Sequence, residues 1–451
     1  MLNTSLEYKT AISAPSRMVR GRVEVFFDGD AQPPVSFQDD DIVYISLLEE
    51  NSVDYSNPIG RVSSNEATVS FNNSNRYFTP SNINSPYYNK LRPKVRIRPY
   101  LSLEVADNVF EEVPLGTFRA GDWNAPSSSA EATIVCWDRL NEIMELDVPL
   151  IRVQKNATVK TMFEMLFAKL GLNNNEYNVD NSLSQVILRG WLEDNSVRSA
   201  LNSLCVAGNC NVIVDRHNVI RVRPNVVNQA HVTTLNDETQ IEFGDNPQRF
   251  LDTYSTVKVK YKIPFLKDRE LLLRIDDLVL PTGDTILSPL TFTNGPVMTV
   301  EEMRLMNAKN TRIVDINYGA WTASITLNNA GVSEIVSLEI WGQPIGTVGA
   351  EHVVTSAGAT FQKTITIENA LIQSQDAANG FGSNLLQYVS DPTANFKFTL
   401  RGDPSIELND VVKILDPADR IPDVNIIVTR HVLKYDGSLS AVIDGRRAPS
   451  V

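Results

Sequence analysis

Residues Arg189 to Pro224 read RGWLEDNSVRSALNSLCVAGNCNVIVDRHNVIRVRP, and the periodicity changes along this stretch. Val186 to Trp191 (VILRGW) is a short apolar run that predicts a strand. Asn195-Ser196 then opens a helix in which Val197, Ala200, Leu201 and Leu204 share one face. Cys210 to Val214 and His217 to Val222 form a hairpin around Asp215-Arg216. Just upstream, Thr158 is placed as the N-cap of a helix with Met162, Met165, Leu166, Lys169 and Leu170 at helical spacing, and Gly171 is placed to end it. A Met-rich helical face can bind a partner, but the spacing here reads as core. Residues 151–228 therefore form a compact α/β module of about 75 residues.

On both sides of this module the chain reads as β. Upstream, Val19 to Phe27, Ile42 to Leu48, Ala67 to Phe71, Val95 to Leu103 and Ala132 to Trp137 are strand candidates separated by turn-forming stretches. With no helix between them they predict a sandwich or barrel over residues 1–150. Pro80 to Asn89 (PSNINSPYYN) is a polar loop with aromatics. Downstream, Thr256 to Lys262 and Glu270 to Ile275 read as strands, and Pro281 to Pro296 as a long loop because Pro, Gly and Asn punctuate it. Arg312 to Asn328 and Ile335 to Trp341 predict a small β insert, and Gln373 to Val389 a helix weakened by Gly380 and Gly382. Asn395 to Arg401, Asp410 to Leu415, Asn425 to Val432 and Leu439 to Ile443 complete the pattern as strands.

The 451 residues imply about three domains. Hydrophobic residues at 42% supply enough material for sizeable cores. No run approaches the roughly 20 apolar residues of a membrane helix. The first residues, MLNTSLEYKTAISAPSR, hold no apolar secretion core, which predicts synthesis in the cytoplasm. The net charge of −13 opposes tight binding to phosphate backbones but permits an acidic wall past which DNA slides. Cys136, Cys205 and Cys210 are too few for a disulfide framework and read as buried hydrophobes.

Chemistry is hard to locate. Asp39-Asp40-Asp41 and Glu49-Glu50 lack the alternating oxygen ligands and glycine turn of a calcium loop, so they read as a solvated loop beside a strand. His217, His231, His352 and His431 are scattered and predict surface or core residues. No nucleophile elbow, phosphate loop or dinucleotide fingerprint occurs. No residue is singled out as catalytic, cofactor-binding or metal-ligating, and the chain reads as a non-enzyme.

Three stretches resemble one family in order along the chain, together covering about a quarter of it. Val113 to Leu140, VPLGTFRAGDWNAPSSSAEATIVCWDRL, looks like the strand, Trp, polar loop, strand and Asp-Arg-Leu segment of tail hub proteins of tailed bacteriophages. Arg189 to Pro224 resembles that family's α/β module, where Gly-Trp precedes a helix and a hairpin closes it. Thr399 to Gly445 is similar to its C-terminal hairpin, with LRGDPSIELNDVVKILDP and the YDGSL turn. Gly402-Asp403-Pro404 is a tight reversal and Asp436-Gly437 a hairpin turn, while Asn409-Asp410 replaces the family's usual Gly-Asp with the next-best left-handed residue.

The resemblance implies a mainly β chain with α+β modules: two tail-tube-like β-barrel domains joined by a small α/β module and a β insert. The first barrel would span 1–150 and the α/β module 151–228. The second barrel would be assembled from 229–300 and 380–451, with the insert at 301–379 between. It further implies a trimeric ring that adapts a six-fold tube to a three-fold tip. Implied partners are copies of itself, a tail-tube or distal-tail protein, spike and other baseplate proteins, and the tape-measure protein. DNA would be met only in transit, and this chain would insert in no membrane. The site would be the virion tail, or a related contractile injection system, assembled in the host cytoplasm. A different reading is a carbohydrate- or host-surface-binding β protein of the tail tip, with Tyr87 and Tyr88 as a stacking platform; a third is a wall hydrolase with an unmarked acid pair. Trp123, Trp137 and Trp191 are expected as packing anchors.

Overall fold

A computed structural model describes residues 1–51, 60, 62–193, 196–225, 230–236, 240–242, 248–250, 254–357, 363–390, 394–416 and 421–448. Asn195 lies outside the described residues. Among the described residues the α-helices, numbered in chain order, are α1 (Leu6–Ile12), α2 (Arg139–Met144), α3 (Val159–Lys169), α4 (Val197–Gly208) and α5 (Gln375–Ser390). The rest is mostly strand, and the chain divides into two compact units.

The first unit comprises Met1–Ile143, Asn211–Thr253 and Asp391–Val451. It carries a 14-stranded sheet. Its main path runs through Gln248–Phe250, Ala394–Leu400, Leu439–Arg447, Ile421–Tyr435, Ile42–Glu50, Glu66–Asn72, Glu131–Asp138, Phe118–Asn124, Arg96–Ala106, Val19–Phe26 and Val35–Gln38. Ile421–Tyr435 joins N- and C-terminal strands because its 15 residues exceed any one partner on that side. Its start pairs with Val411–Asp416, and its end with Ile42–Glu50 through Tyr435↔Ile45 and Arg430↔Glu50.

Alternation decides which face is inside. In Val19–Phe26, Val23 and Val25 are buried while Arg20, Arg22 and Glu24 point the other way. The same period puts Ile45, Leu47, Val69, Phe71, Ile97, Leu101 and Ile134 in one core, which continues through Phe398, Ile426 and Ile443. The sheet curls until Gly21 lies under the Tyr435 ring, where an added Cβ would come within 2.8 Å of it. The expected turns are present: Gly402, Asn409 and Gly437 have φ of 87°, 66° and 96°.

The second unit comprises Met144–Cys210 and Tyr254–Ser390. Thr158 and Ser196 cap α3 and α4 by accepting from the backbone N–H of Thr161 and Ser199. Asn209 ends α4 at φ 46°. Leu201 and Leu204 are buried as read, and in α3 Met162 and Leu166 are core, but Met165 and Leu170 are half-buried and Lys169 is exposed, the buried face running instead through Val159, Phe163 and Phe167.

Beyond Tyr254 a β-sandwich is built around the 22-residue strand Glu334–Thr355. Glu270–Leu280 and Val297–Met306 flank its first half, and Gly283–Thr291, Thr322–Asn329 and Thr311–Tyr318 form the facing sheet. Leu272, Phe292, Ile325, Leu327, Leu338 and Ile340 fill the space between. The expectation of a long loop over Pro281–Pro296 is therefore corrected: Gly283–Thr291 is a strand paired with Thr322–Asn329. Its proline misled the reading because Pro289 sits in a register shift between Leu287 and Leu290, where no ladder N–H is required. The second half of Glu334–Thr355 forms a long ladder with Thr256–Leu266. Helix α5 covers part of that ladder, with Gly382 letting it approach Val259 and Val354.

Candidate assembly faces and a buried ion cluster

The densest polar arrangement in the first unit begins in the turn after Val214. Asp215 shapes that turn, accepting from the backbone N–H of His217 at 3.0 Å and Val219 at 2.9 Å. The turn aims Arg216 inward, where its guanidinium meets Glu49 through Nε–Oε1 at 3.1 Å and Nη2–Oε2 at 2.7 Å. Nη2 also donates to the Ile406 carbonyl at 2.8 Å, and Nη1 to the Pro404 carbonyl. His431 Nδ1 lies 3.4 Å from Glu49 Oε2, and all three side chains are at most 4% exposed.

Burial alone would raise the Glu49 carboxyl, but Arg216 and His431 outweigh it and bring it down to about 2. Arg216 stays charged because Glu49 offsets its own burial. This geometry is bidentate ion pairing with the remaining donors satisfied by carbonyls. It ties a hairpin turn, the Gly402–Asp410 reversal and two neighbouring strands together. A polar cavity of about 280 Å³ adjoins it, lined by Asp215, His217, Arg221, Arg223, Glu407 and Asp410 among others. Arg221 is engaged by Asp215 at 2.7 Å. At the start of α2, burial pushes the Asp138 carboxyl up to about 7 against the pull of backbone N–H donors from Asn65, Leu140 and Asn141.

Both units also carry arginine–aromatic–carboxylate lattices on a sheet face turned away from the core. In the first, Arg22 grips Glu112 at 2.6 and 2.7 Å, reaches Glu24 at 2.6 Å and lies 4.1 Å over the Tyr100 ring. Beside it, Arg96 lies 3.7 Å over Phe26, and Asp30 is held below the usual carboxylate range by Arg119. In the second, Trp341 donates to Glu339 at 3.1 Å and lies beneath Arg269 and Arg304, which share Glu302. Such faces offer charge and planar stacking to a partner surface.

The residues singled out in the sequence fall as follows. Asp39–Asp41 form an exposed 3₁₀ turn, but the solvated-loop reading of Glu49-Glu50 is corrected: both lie in the strand Ile42–Glu50, Glu49 is 3% exposed and Glu50 lies 3.5 Å from Arg430. Cys136, Cys205 and Cys210 are free thiols, all buried. Trp191 is 4% exposed against Val153, Ala320 and Ile345. Trp123 stacks with Phe78 and Phe71, and Trp137 covers Gly121. Tyr87 is no free platform: its ring stacks on Phe27 at 4.7 Å and meets Phe37 edge-on. Tyr88 remains 40% exposed. Arg216 and His431 were missed as a pair because nothing in a lone Arg or His reports a partner far along the chain. Among the described residues no group of three or more His, Cys, Asp or Glu is arranged to hold a metal, and no helix is long and apolar enough to cross a membrane.

Two crystal structures are similar to this chain over nearly its whole length. The 43 kDa tail protein of prophage MuSo2 from Shewanella oneidensis matches with a TM-score of 0.53 at 10% identity, over 94% of this chain and 98% of that one. The tail protein from Neisseria meningitidis matches with a TM-score of 0.52 at 8% identity, over 94% and 96%. No family model matches the sequence, and no curated protein matches it. The mainly β fold expected from the sequence is the fold observed, and it is shared along nearly the whole chain with these two tail proteins.

Proposed function

We propose that this chain is a structural tail-hub or baseplate subunit at the distal end of a phage tail tube or related injection machine. The observation that carries it is the full-length match to two tail proteins, in which almost nothing of either chain is left over. The buried ion cluster supports it, since its charged groups are spent on holding segments together. In this reading three copies close a ring built from tube-like β-barrel domains. The ring adapts six-fold tube to three-fold tip and leaves a channel for DNA or the tape-measure protein. Its neighbours are a tail-tube or distal-tail protein above and spike or other baseplate proteins below, in a virion tail assembled in the host cytoplasm.

Light scattering on a size-exclusion column tests it. A mass near three times the 50.2 kDa chain is expected. A hexamer would instead indicate a tube or distal-tail ring, and a monomer at all concentrations would overturn the ring.

A further inference from the structure

Helix α4 ends in a turn that brings two thiols together. Leu201 and Cys205 stand one turn apart on its buried face, and Asn209 closes the helix at φ 46° and ψ 54°. The Asn209 N–H is shared between the carbonyls of Cys205 and Val206. In a left-handed cap of this form, the residue just past the cap folds back onto the side chain four before the cap. Here those two positions are Cys210 and Cys205, which are 1% and 0% exposed. Cys205 is also the side-chain hydrogen-bond partner of Cys210. Gly208 leaves the room for this, since an added Cβ would stand 3.1 Å from Cys210 Sγ and 2.9 Å from Val159 Cγ1. All of these residues lie in one compact unit.

We infer that Cys205 and Cys210 close into an internal disulfide when the chain meets a small-molecule disulfide. Packing alone asks only for two apolar side chains at these positions; two thiols add a reaction. Burial pushes the Cys210 thiol well up and keeps reagents out, so the pair is inert while the helix end stays closed. Fraying of the last turn of α4 exposes it. One thiolate then attacks the reagent's disulfide and expels a thiolate, leaving a mixed disulfide on the chain. The other cysteine attacks that bond and expels the second thiolate. The two protein thiols lose two electrons in all, the reagent gains them, and the two protons end on the two released thiols. The second attack is intramolecular across four residues, so it outruns a second reagent molecule. A chain made in a reducing cytoplasm and carried outside in a particle would be thiol first and bridged later. Only that consequence rests on the tail reading above.

The test incubates purified full-length protein with oxidised glutathione a little below its melting temperature. Free thiols are then alkylated in denaturant and the chain is digested with trypsin. The tryptic peptide 199–216 carries both cysteines. It should become about 2 Da lighter and take no alkyl group, a change that reduction reverses. The bridged protein should melt no lower than the reduced one. Glutathione retained on either cysteine, both thiols still open to alkylation, or a bridge between chains would each overturn the pairing. So would a lowered melting temperature, which would show that the folded turn cannot hold the bond. Cys210→Ala should lose no mass in that peptide; if it does, the bridge lies elsewhere and the proposal falls. Should that variant unfold, the wild-type peptide decides alone. A monomer in light scattering would remove the ring and leave this result untouched.

Discussion

The two units bury their apolar surface in opposite ways. Met1–Ile143, Asn211–Thr253 and Asp391–Val451 share one continuous core running from Tyr8 to Ile443. Met144–Cys210 and Tyr254–Ser390 divide theirs into separate clusters, among them the sandwich interior and the small group around Trp191. Both units carry arginine–aromatic contacts on an outer face, but the first adds a buried ion cluster at the junction of distant segments. A single large core averages the loss of one apolar side chain over many neighbours, whereas a buried charge tolerates no loss of its partner. The difference therefore lies in where each unit is brittle.

The largest expected effect breaks that comparison at its polar end. Glu49→Ala leaves the Arg216 guanidinium charged and unpaired in the interior and should cost about 4–5 kcal/mol in denaturant unfolding. The double variant Glu49→Leu with Arg216→Met should recover at least half of this, because no orphaned charge remains. Equal losses in the single and double variants would show that packing, not charge, sets the cost.

A smaller loss sharpens the apolar end. Trp191→Ala empties the centre of a four-residue cluster and should cost about 3–4 kcal/mol, read as a lower first transition in calorimetry. Unchanged thermal stability would remove Trp191 from the core.

Acid supplies the mildest probe. The Glu49 carboxyl lies lower in the folded chain than unfolded, so its contribution is complete above about pH 4.5 and is lost as pH falls toward 2. About 3 kcal/mol should disappear over that window, and Glu49→Gln should flatten this part of the curve. Asp138, raised to about 7, works the other way. Its folded carboxyl stays protonated while the unfolded one ionises above about 3.8, so it adds stability as pH falls from 7 toward 3.8 and partly offsets the Glu49 loss in the upper part of the window.

Much of the local architecture was legible. The alternation in VRGRVEVF and the spacing of Val197, Ala200, Leu201 and Leu204 each report a period that side-chain geometry imposes wherever the segment ends up. Asn409 could be read as left-handed because its side chain tolerates that backbone region, and its φ is 66°. The strand at Gly283–Thr291 was hidden because proline signals a break unless the ladder beside it is known to be irregular. Tyr87 looked available because its exposure depends on Phe27 and Phe37, which arrive from distant parts of the chain.

By itself, then, the amino-acid order determined which segments are strand or helix, which face of each is apolar and where the chain can reverse. The tertiary structure alone decided partnership. Glu49 and Arg216 stand 167 residues apart, and Arg216 and His431 another 215. Strand order depends on register and on loop closures that leave no local period, so no window of sequence could show that these three groups meet.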